Sequence, residues 1–281
     1  MTRCPLCGGD VSALKTEPLE CGVCGLAFNV KRCFCAPIYK PGLEAGIYRI
    51  AKERLFSSAL DFLERALPGK GRLLDIGCAV GEFLKTAAAR GWKAEGVEID
   101  PLLAIKSSEL GFEVSTRPVE EAGLKGDFYS AVTVFETFSQ MNDPAAAAAE
   151  IYRLLAPGGI IYLREFNAAF HLPLYRLECR GFLKVLGASP SVLHNLNFRP
   201  QTLRFMLERA GFRDINLRNS PPTSGDPYRT GGRLGVFFTR GFKILYYMMA
   251  QVLWLITFGR IYAGSTLIGA ARKWPSDGHR P

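Results

Sequence analysis

Acidic residues are missing from one long stretch of this 281-residue chain. No Asp or Glu lies between Pro227 and Ser276, although Arg229, Arg233, Arg240, Lys243, Arg260, Arg272 and Lys273 all do. The formal net charge of +9 is therefore concentrated beside the most apolar part of the sequence, which points to an anionic partner or surface. Histidine is scarce too, with three in the whole chain. His279 falls in a polar tail, so an imidazole base would have to be His171 or His194. The amino terminus lacks the apolar core and small-residue cleavage site of a secretory signal, which predicts a cytoplasmic protein with reduced thiols. No uncharged run reaches the roughly 20 residues that a bilayer crossing needs. No Gly-x-Gly-x-x-Gly follows a strand-like segment, so a dinucleotide site of that type is excluded.

Cysteine, by contrast, is concentrated. Six of the eight fall in the first 35 residues, and four form two Cys-x-x-Cys knuckles, Cys4-Pro5-Leu6-Cys7 and Cys21-Gly22-Val23-Cys24, each followed by glycine. Two tight turns carrying four thiolates suit one tetrahedral zinc, with Cys4, Cys7, Cys21 and Cys24 as ligands. Cys33 and Cys35 have no second pair to match, and packing accounts for them best. A zinc ribbon over residues 1–35 has little core of its own, so the metal would supply much of its folding energy. Residues 36–69 then carry Ile47, Ile50, Ala51, Leu55, Ala59, Phe62 and Leu63 at helical spacing, closed by Leu67-Pro68-Gly69. This predicts a linking helix.

With 48% hydrophobic residues, the rest of the chain can bury one substantial core. Arg72 to Leu84 reads as a buried strand, a glycine-rich turn and the start of a helix running to about Arg90. The glycines, Gly77 and Gly81, stand as Gly-x-x-x-Gly behind Asp75. That pattern suits a ligand with an amino-acid tail, whose ammonium group Asp75 meets directly or through water. The next strand, Ala94 to Asp100, ends in acid about 20 residues after the first glycine. A carboxylate there accepts the two hydroxyls of a ribose. Glu98 is the stronger candidate, because Asp100 precedes Pro101 and suits a helix cap.

Three segments in order carry a resemblance. Leu74-Asp75-Ile76-Gly77-Cys78-Ala79-Val80-Gly81, Gly96-Val97-Glu98 and Leu154-Leu155-Ala156-Pro157-Gly158-Gly159 resemble the first motif, the ribose acid and the turn before the fifth strand of the class I S-adenosylmethionine-dependent methyltransferases, in particular the branch with an amino-terminal zinc ribbon. The resemblance implies an α/β fold: a doubly wound, seven-stranded Rossmann-like sheet, mostly parallel with an antiparallel last strand. It implies S-adenosylmethionine as cofactor, surrounded by Asp75, Gly77, Cys78, Ala79, Gly81, Glu98, Ile99, Val119 and Phe135, with the adenine near Thr116 to Val119 and against Phe135. Ala79 stands where the family more often has glycine. The methyltransferase core is expected over residues 70–220, with an apolar helical insertion and the final strand over 221–281.

Phe128 to Phe135 reads as the fourth strand. In the loop after it, Ser139-Gln140 replaces the Glu-His of many relatives, and glutamine is no base. His194, which resembles a family histidine ahead of an aromatic, a proline and a helix, is the candidate base, with His171 and Glu165 as alternatives. No Asn-Pro-Pro-Tyr signature follows the fourth strand, which argues against methylation of base amino groups. The expected activity is methyl transfer to a hydroxyl of a saccharide, a lipid-linked glycan or a lipid-like small molecule. An RNA methyltransferase guided by the ribbon, and a non-catalytic adapter retaining the fold, are the competing readings. Nucleic acid is disfavoured because aromatic and basic residues are not interleaved. Ser265 to Ala271 resembles the family's seventh strand, so the apolar segment 234–263 must leave and return to one sheet. It is expected to lie on an anionic membrane surface, at the inner face of the membrane, as a monotopic element. Burial against the domain, or against a partner in an oligomer, is the alternative.

Overall fold

A computed structural model of the chain describes residues 2–11, 18–30, 52–181, 191–222 and 233–275. Cys33, Cys35, His279 and the first half of the expected linking helix lie outside these residues. The chain opens with β1 (Thr2–Arg3) and β2 (Asp10–Val11), paired antiparallel around the first knuckle, then β3 (Leu19–Glu20) and β4 (Ala27–Phe28) around the second.

The first long helix, α1 (Glu53–Ala66), buries Leu55, Phe56, Ala59, Leu60 and Leu63, one stripe of a 3.6-residue period. It stops where Pro68 forces Leu67 out of the helical region, to ψ 149°. Then follow β5 (Arg72–Ile76), α2 (Glu82–Ala89), β6 (Lys93–Val97), α3 (Pro101–Glu109), β7 (Val114–Ser115), β8 (Tyr129–Phe135), α4 (Pro144–Leu154), β9 (Leu155–Phe166) and α5 (Ala168–Cys179). The chain closes with β10 (Leu196–Asn197), α6 (Pro200–Arg209), β11 (Arg213–Asn219), α7 (Arg233–Ile256) and β12 (Thr266–Arg272).

Seven strands form one sheet in the order β11-β12-β9-β8-β5-β6-β7. The pairs among β5 to β9 are parallel, whereas β12 runs antiparallel to both β9 and β11. This is the expected doubly wound sheet with its antiparallel last strand. Alternation of side chains sends Leu73, Ala131, Ile160 and Ala270 to one face, under α1 and α2. Leu74, Ile76, Val132, Val134, Ile161 and Leu163 go to the other, under α4 and α6. Both faces are covered, which is why the central strands read as nearly unbroken apolar runs.

Two expectations need correction. The Ala156-Pro157-Gly158-Gly159 segment is not a turn before the fifth strand but the first part of it. β9 begins at Leu155, opposite Tyr129, and absorbs the extra residues as an irregularity before Ile160 pairs with Ala131. Gly158 and Gly159 are held in place by reciprocal bonds with Lys273, 2.8 and 2.9 Å long. The ribbon, in turn, is joined to the core by more than a helix. β4 pairs on one side with β3 and on the other with β10, so the core completes its sheet. Leu26 and Phe28 belong to the same hydrophobic cluster as Leu203 and Phe212 of the core. Glu20 pairs with Arg176 and Arg199 at the seam.

Asn167 fixes the edge of the sheet that carries the site. Completely buried at the end of β9, it caps α5 by accepting the Ala169 amide at 3.0 Å, and it donates to the carbonyls of Tyr262 and Gly264 at 2.9 and 2.8 Å. One side chain thus ties α5 to the approach of β12.

Candidate functional site

Strand order reverses at β5: the chain winds outward through β6 and β7 on one side and through β8 and β9 on the other. Crossovers on opposite faces leave a crevice at the carboxyl ends of β5 and β8. A cavity of about 770 Å³ lies there, within the range of a small-molecule or cofactor site.

Its first wall is the glycine loop. Gly77, at φ +77°, sits so close to β8's exit that a Cβ would lie 2.2 Å from Thr137 Oγ1, which only glycine permits. The amides of Gly77 and Cys78 both donate to the Val97 carbonyl, at 2.7 and 3.1 Å, and tie the loop to β6. Ala79 takes φ +48°, the left-handed region where a side chain is strained. Its amide donates to Glu98 at 2.9 Å, and the other oxygen of Glu98 accepts the Asp100 amide at 2.9 Å. Glu98 is thus oriented toward the cavity by two backbone bonds while keeping lone pairs for a diol. Burial raises its pKa, and the two amides pull the other way. Asp100 caps α3 through the amides of Leu102 and Leu103.

Asp75 lines the floor, buried, and accepts a 2.7 Å bond from Thr133; burial pushes its carboxyl up to about 7. Burial likewise raises the Cys78 thiol, which stays protonated. Ile99 is exposed at the rim, and Val119 is buried behind it. Phe135 packs among Phe56, Phe83 and Tyr162, with ring centroids 4.8 to 6.1 Å away. Eight of the nine residues expected around the cofactor therefore line one cavity, while Gly81 caps the head of α2 behind the loop. An acceptor carboxylate, a close-approach loop and apolar walls together fit an adenosyl group with an amino-acid tail.

The candidate bases are placed differently. His171 is pinned by the backbone: its Nε2 donates to Ser265 O at 3.0 Å and its Nδ1 accepts from Val192 at 3.2 Å. Burial drives its pKa down to about 4, so it is a neutral structural link with no lone pair to spare. His194 stands behind the cavity wall, its Nδ1 held by Gln140 Nε2 at 2.6 Å, while Gln140 itself lines the cavity. Glu165 is wholly buried and receives the Ser139 amide, away from the cavity.

What the sequence reading missed is a buried charge cluster. Lys52, just ahead of α1 and only 5% exposed, reaches the cavity and bonds Glu136 at 3.1 Å. Glu136 leaves β8 at φ +59° and pairs on its other side with Arg164 of β9, which bonds Ser220 at 3.0 Å. Two cations share one carboxylate. Burial first, and the nearby Arg164 charge second, pull Lys52 down to about 7, so it exchanges a proton in the physiological range. An arginine inside a strand otherwise buried on both faces was the available signal.

The four ribbon cysteines place their sulfurs within 4.8 Å of one another, with Cys4–Cys24 and Cys7–Cys21 at 3.5 Å. Bonds of about 2.3 Å to a tetrahedral zinc set sulfurs roughly 3.8 Å apart, so the set fits that ion.

A family model described as a methyltransferase domain matches residues 48–217. A ubiquinone biosynthesis O-methyltransferase of Saccharophagus degradans is 31% identical over 157 residues, 53% of this chain and 66% of that protein. One from Aeromonas salmonicida is 31% identical over 162 residues, 54% of this chain and 68% of that protein. The chain spans about two thirds of the length of these relatives. Among solved structures, a SAM-dependent methyltransferase from Archaeoglobus fulgidus superposes with a TM-score of 0.54 at 19% identity, over 82% of this chain and 97% of the other, a likeness of fold.

The arrangement around Glu98 gives a direct test. Glu98→Ala is expected to weaken S-adenosylmethionine binding by roughly 1–3 kcal/mol, since a diol loses a charged acceptor. Calorimetry showing unchanged affinity would remove Glu98 from the ribose site.

Proposed function

Because the chain belongs to the methyltransferase-domain family and is an S-adenosylmethionine-dependent methyltransferase, we propose that it methylates a hydroxyl of a lipid-like small molecule, with Lys52 taking the hydroxyl proton. The observation that carries this reading is Lys52 itself, an amine buried in the cavity wall and held at 3.1 Å by Glu136. When bound, S-adenosylmethionine supplies a methyl group already activated by its sulfonium. The chain's own work is then to hold the cofactor, orient the acceptor and remove one proton.

Glu98 and the Gly77–Gly81 loop hold the cofactor, with Asp75 ordering the floor. Arg164 neutralises Glu136 and leaves the excess positive charge of the cluster on Lys52, whose proton is the one most easily lost. Neutral Lys52 accepts the hydroxyl proton. Gln140, braced by His194, contributes a hydrogen-bonding edge rather than a base. Phe56, Phe83, Phe135 and Met141 give the cavity apolar walls suited to a lipid-like acceptor rather than a bare sugar. Relatives named for O-methyl transfer support the hydroxyl acceptor.

The ribbon is read as a structural zinc site on Cys4, Cys7, Cys21 and Cys24. Three of these sulfurs' residues are buried in the cluster shared with the core, so the metal would brace the whole domain and not only its own hairpins. Purified without chelator, the protein is expected to hold about one zinc per chain. Cys21→Ser should lower zinc content and shift the melting of the entire domain in one transition; protein free of zinc by metal analysis contradicts the assignment.

For the reaction, turnover assayed against extracted membrane lipids, soluble saccharides, lipid-linked glycans and total RNA is expected in the lipid fraction. Methylation of RNA alone would replace this reading with the RNA one. On a lipid substrate kcat should rise with pH through about 7. Lys52→Met should lose this limb and about 100-fold in turnover with cofactor affinity retained. His194→Ala should cost at most about tenfold, through loosening of Gln140. Near-normal turnover in Lys52→Met rules the lysine out as base.

A further inference from the structure

The helix α7 is attached to the domain by one narrow side. Ala250 is buried and its carbonyl accepts from Asn219 at 3.2 Å. The Tyr246 ring lies 5.3 Å from Phe170 of α5, and its hydroxyl donates to the Ala263 carbonyl. The other side is a stripe of exposed apolar residues at helical spacing, among them Leu245, Met248, Met249, Val252 and Leu255. A continuous apolar surface of this kind costs free energy in water and marks a place where something binds. Beyond the last turn, Phe258 is 92% exposed and sits at φ +51°, a strained position for a bulky residue. Its amide still bonds Leu255 at 3.0 Å, so the turn is built to hold the ring outward.

Charge identifies the occupant. Arg260, exposed, follows the stripe, and the sequence from Pro227 to Ser276 holds seven cationic residues and no acidic one. A second copy of this face would set cations against cations, whereas a layer of lipid phosphates complements them. No helix of the described residues is long and apolar enough to cross a membrane. The position also fits. Thr266 at the head of β12 pairs with Phe166 at the carboxyl end of β9, so α7 leaves and returns at the edge of the sheet that holds the cavity. A run of rings joins the two: His194, braced against Gln140 of the cavity, then Phe166, His171, Phe170 and Tyr246, each 5.0 to 5.7 Å from the next.

We propose that α7 and the turn after it lie in the headgroup layer of an anionic bilayer, with the Leu245–Phe258 stripe among the acyl chains and Arg260 on lipid phosphates. This deepens the reading of a lipid-like acceptor, on which it rests for its purpose, because docking sets the cavity's edge of the sheet at the surface where such an acceptor resides.

Flotation of the full chain with vesicles tests it. The protein is expected to rise with phosphatidylglycerol–phosphatidylcholine vesicles and not with phosphatidylcholine alone. Arg260→Gln should weaken vesicle binding by about fivefold. Leu255→Ser with Phe258→Ser should do the same. S-adenosylmethionine affinity unchanged in both variants shows that they fold. A protein that ignores both kinds of vesicle overturns the proposal; if it then sediments as a dimer that Leu255→Ser dissociates, a second copy covers the stripe instead. Flotation needs no turnover, so the two readings fail separately. A chain that floats yet methylates no lipid supports docking and refutes the acceptor, while one that methylates a lipid but stays off vesicles does the reverse.

Discussion

Everything functional in this chain depends on the reversal of strand order at β5. A sheet that winds both ways from one strand must send its crossovers to opposite faces, and the space between the first helices on either side cannot be filled by either. Glycine at 77 lets the loop pass against Thr137, and Glu98 closes the opposite wall by taking the amides of Ala79 and Asp100. The cofactor side of the cavity is therefore built before any ligand arrives, from backbone amides and one carboxylate.

Another wall of the cavity is built from charge. Glu136 lies between Lys52 and Arg164 where little water reaches, and a carboxylate cannot fully satisfy two cations there. The arginine keeps its proton, so the lysine becomes the loose one. The two imidazoles show the converse. His171 is fully bonded by backbone groups and His194 has one nitrogen on Gln140, and burial leaves both neutral at physiological pH.

Much of this was legible in the residues. Strand β5, the Gly77–Gly81 loop, Glu98 and the two knuckles are local signals, in which the residue types and spacing are themselves the structure. Other features were not. Lys52 and Glu136 are 84 positions apart and belong to no motif, so only the fold brings them together. The two-residue strand β10 has no pattern to detect, yet it fuses the ribbon to the core. Pro157 and Gly158 spelled a turn, and they fall in the irregular stretch of β9, where Gly158 and Gly159 bond to Lys273. Histidines were favoured as bases because imidazole suits neutral pH; burial takes both imidazoles down to about 4 and brings a buried lysine down to about 7.

One structure would test the account most directly: a crystal of the protein with S-adenosylhomocysteine. The account predicts both ribose hydroxyls on the Glu98 carboxylate, the adenine beside Val119, and the thioether sulfur directed to the Lys52–Glu136 end of the cavity. A nucleoside bound away from Glu98, or a sulfur directed away from Lys52, would contradict it.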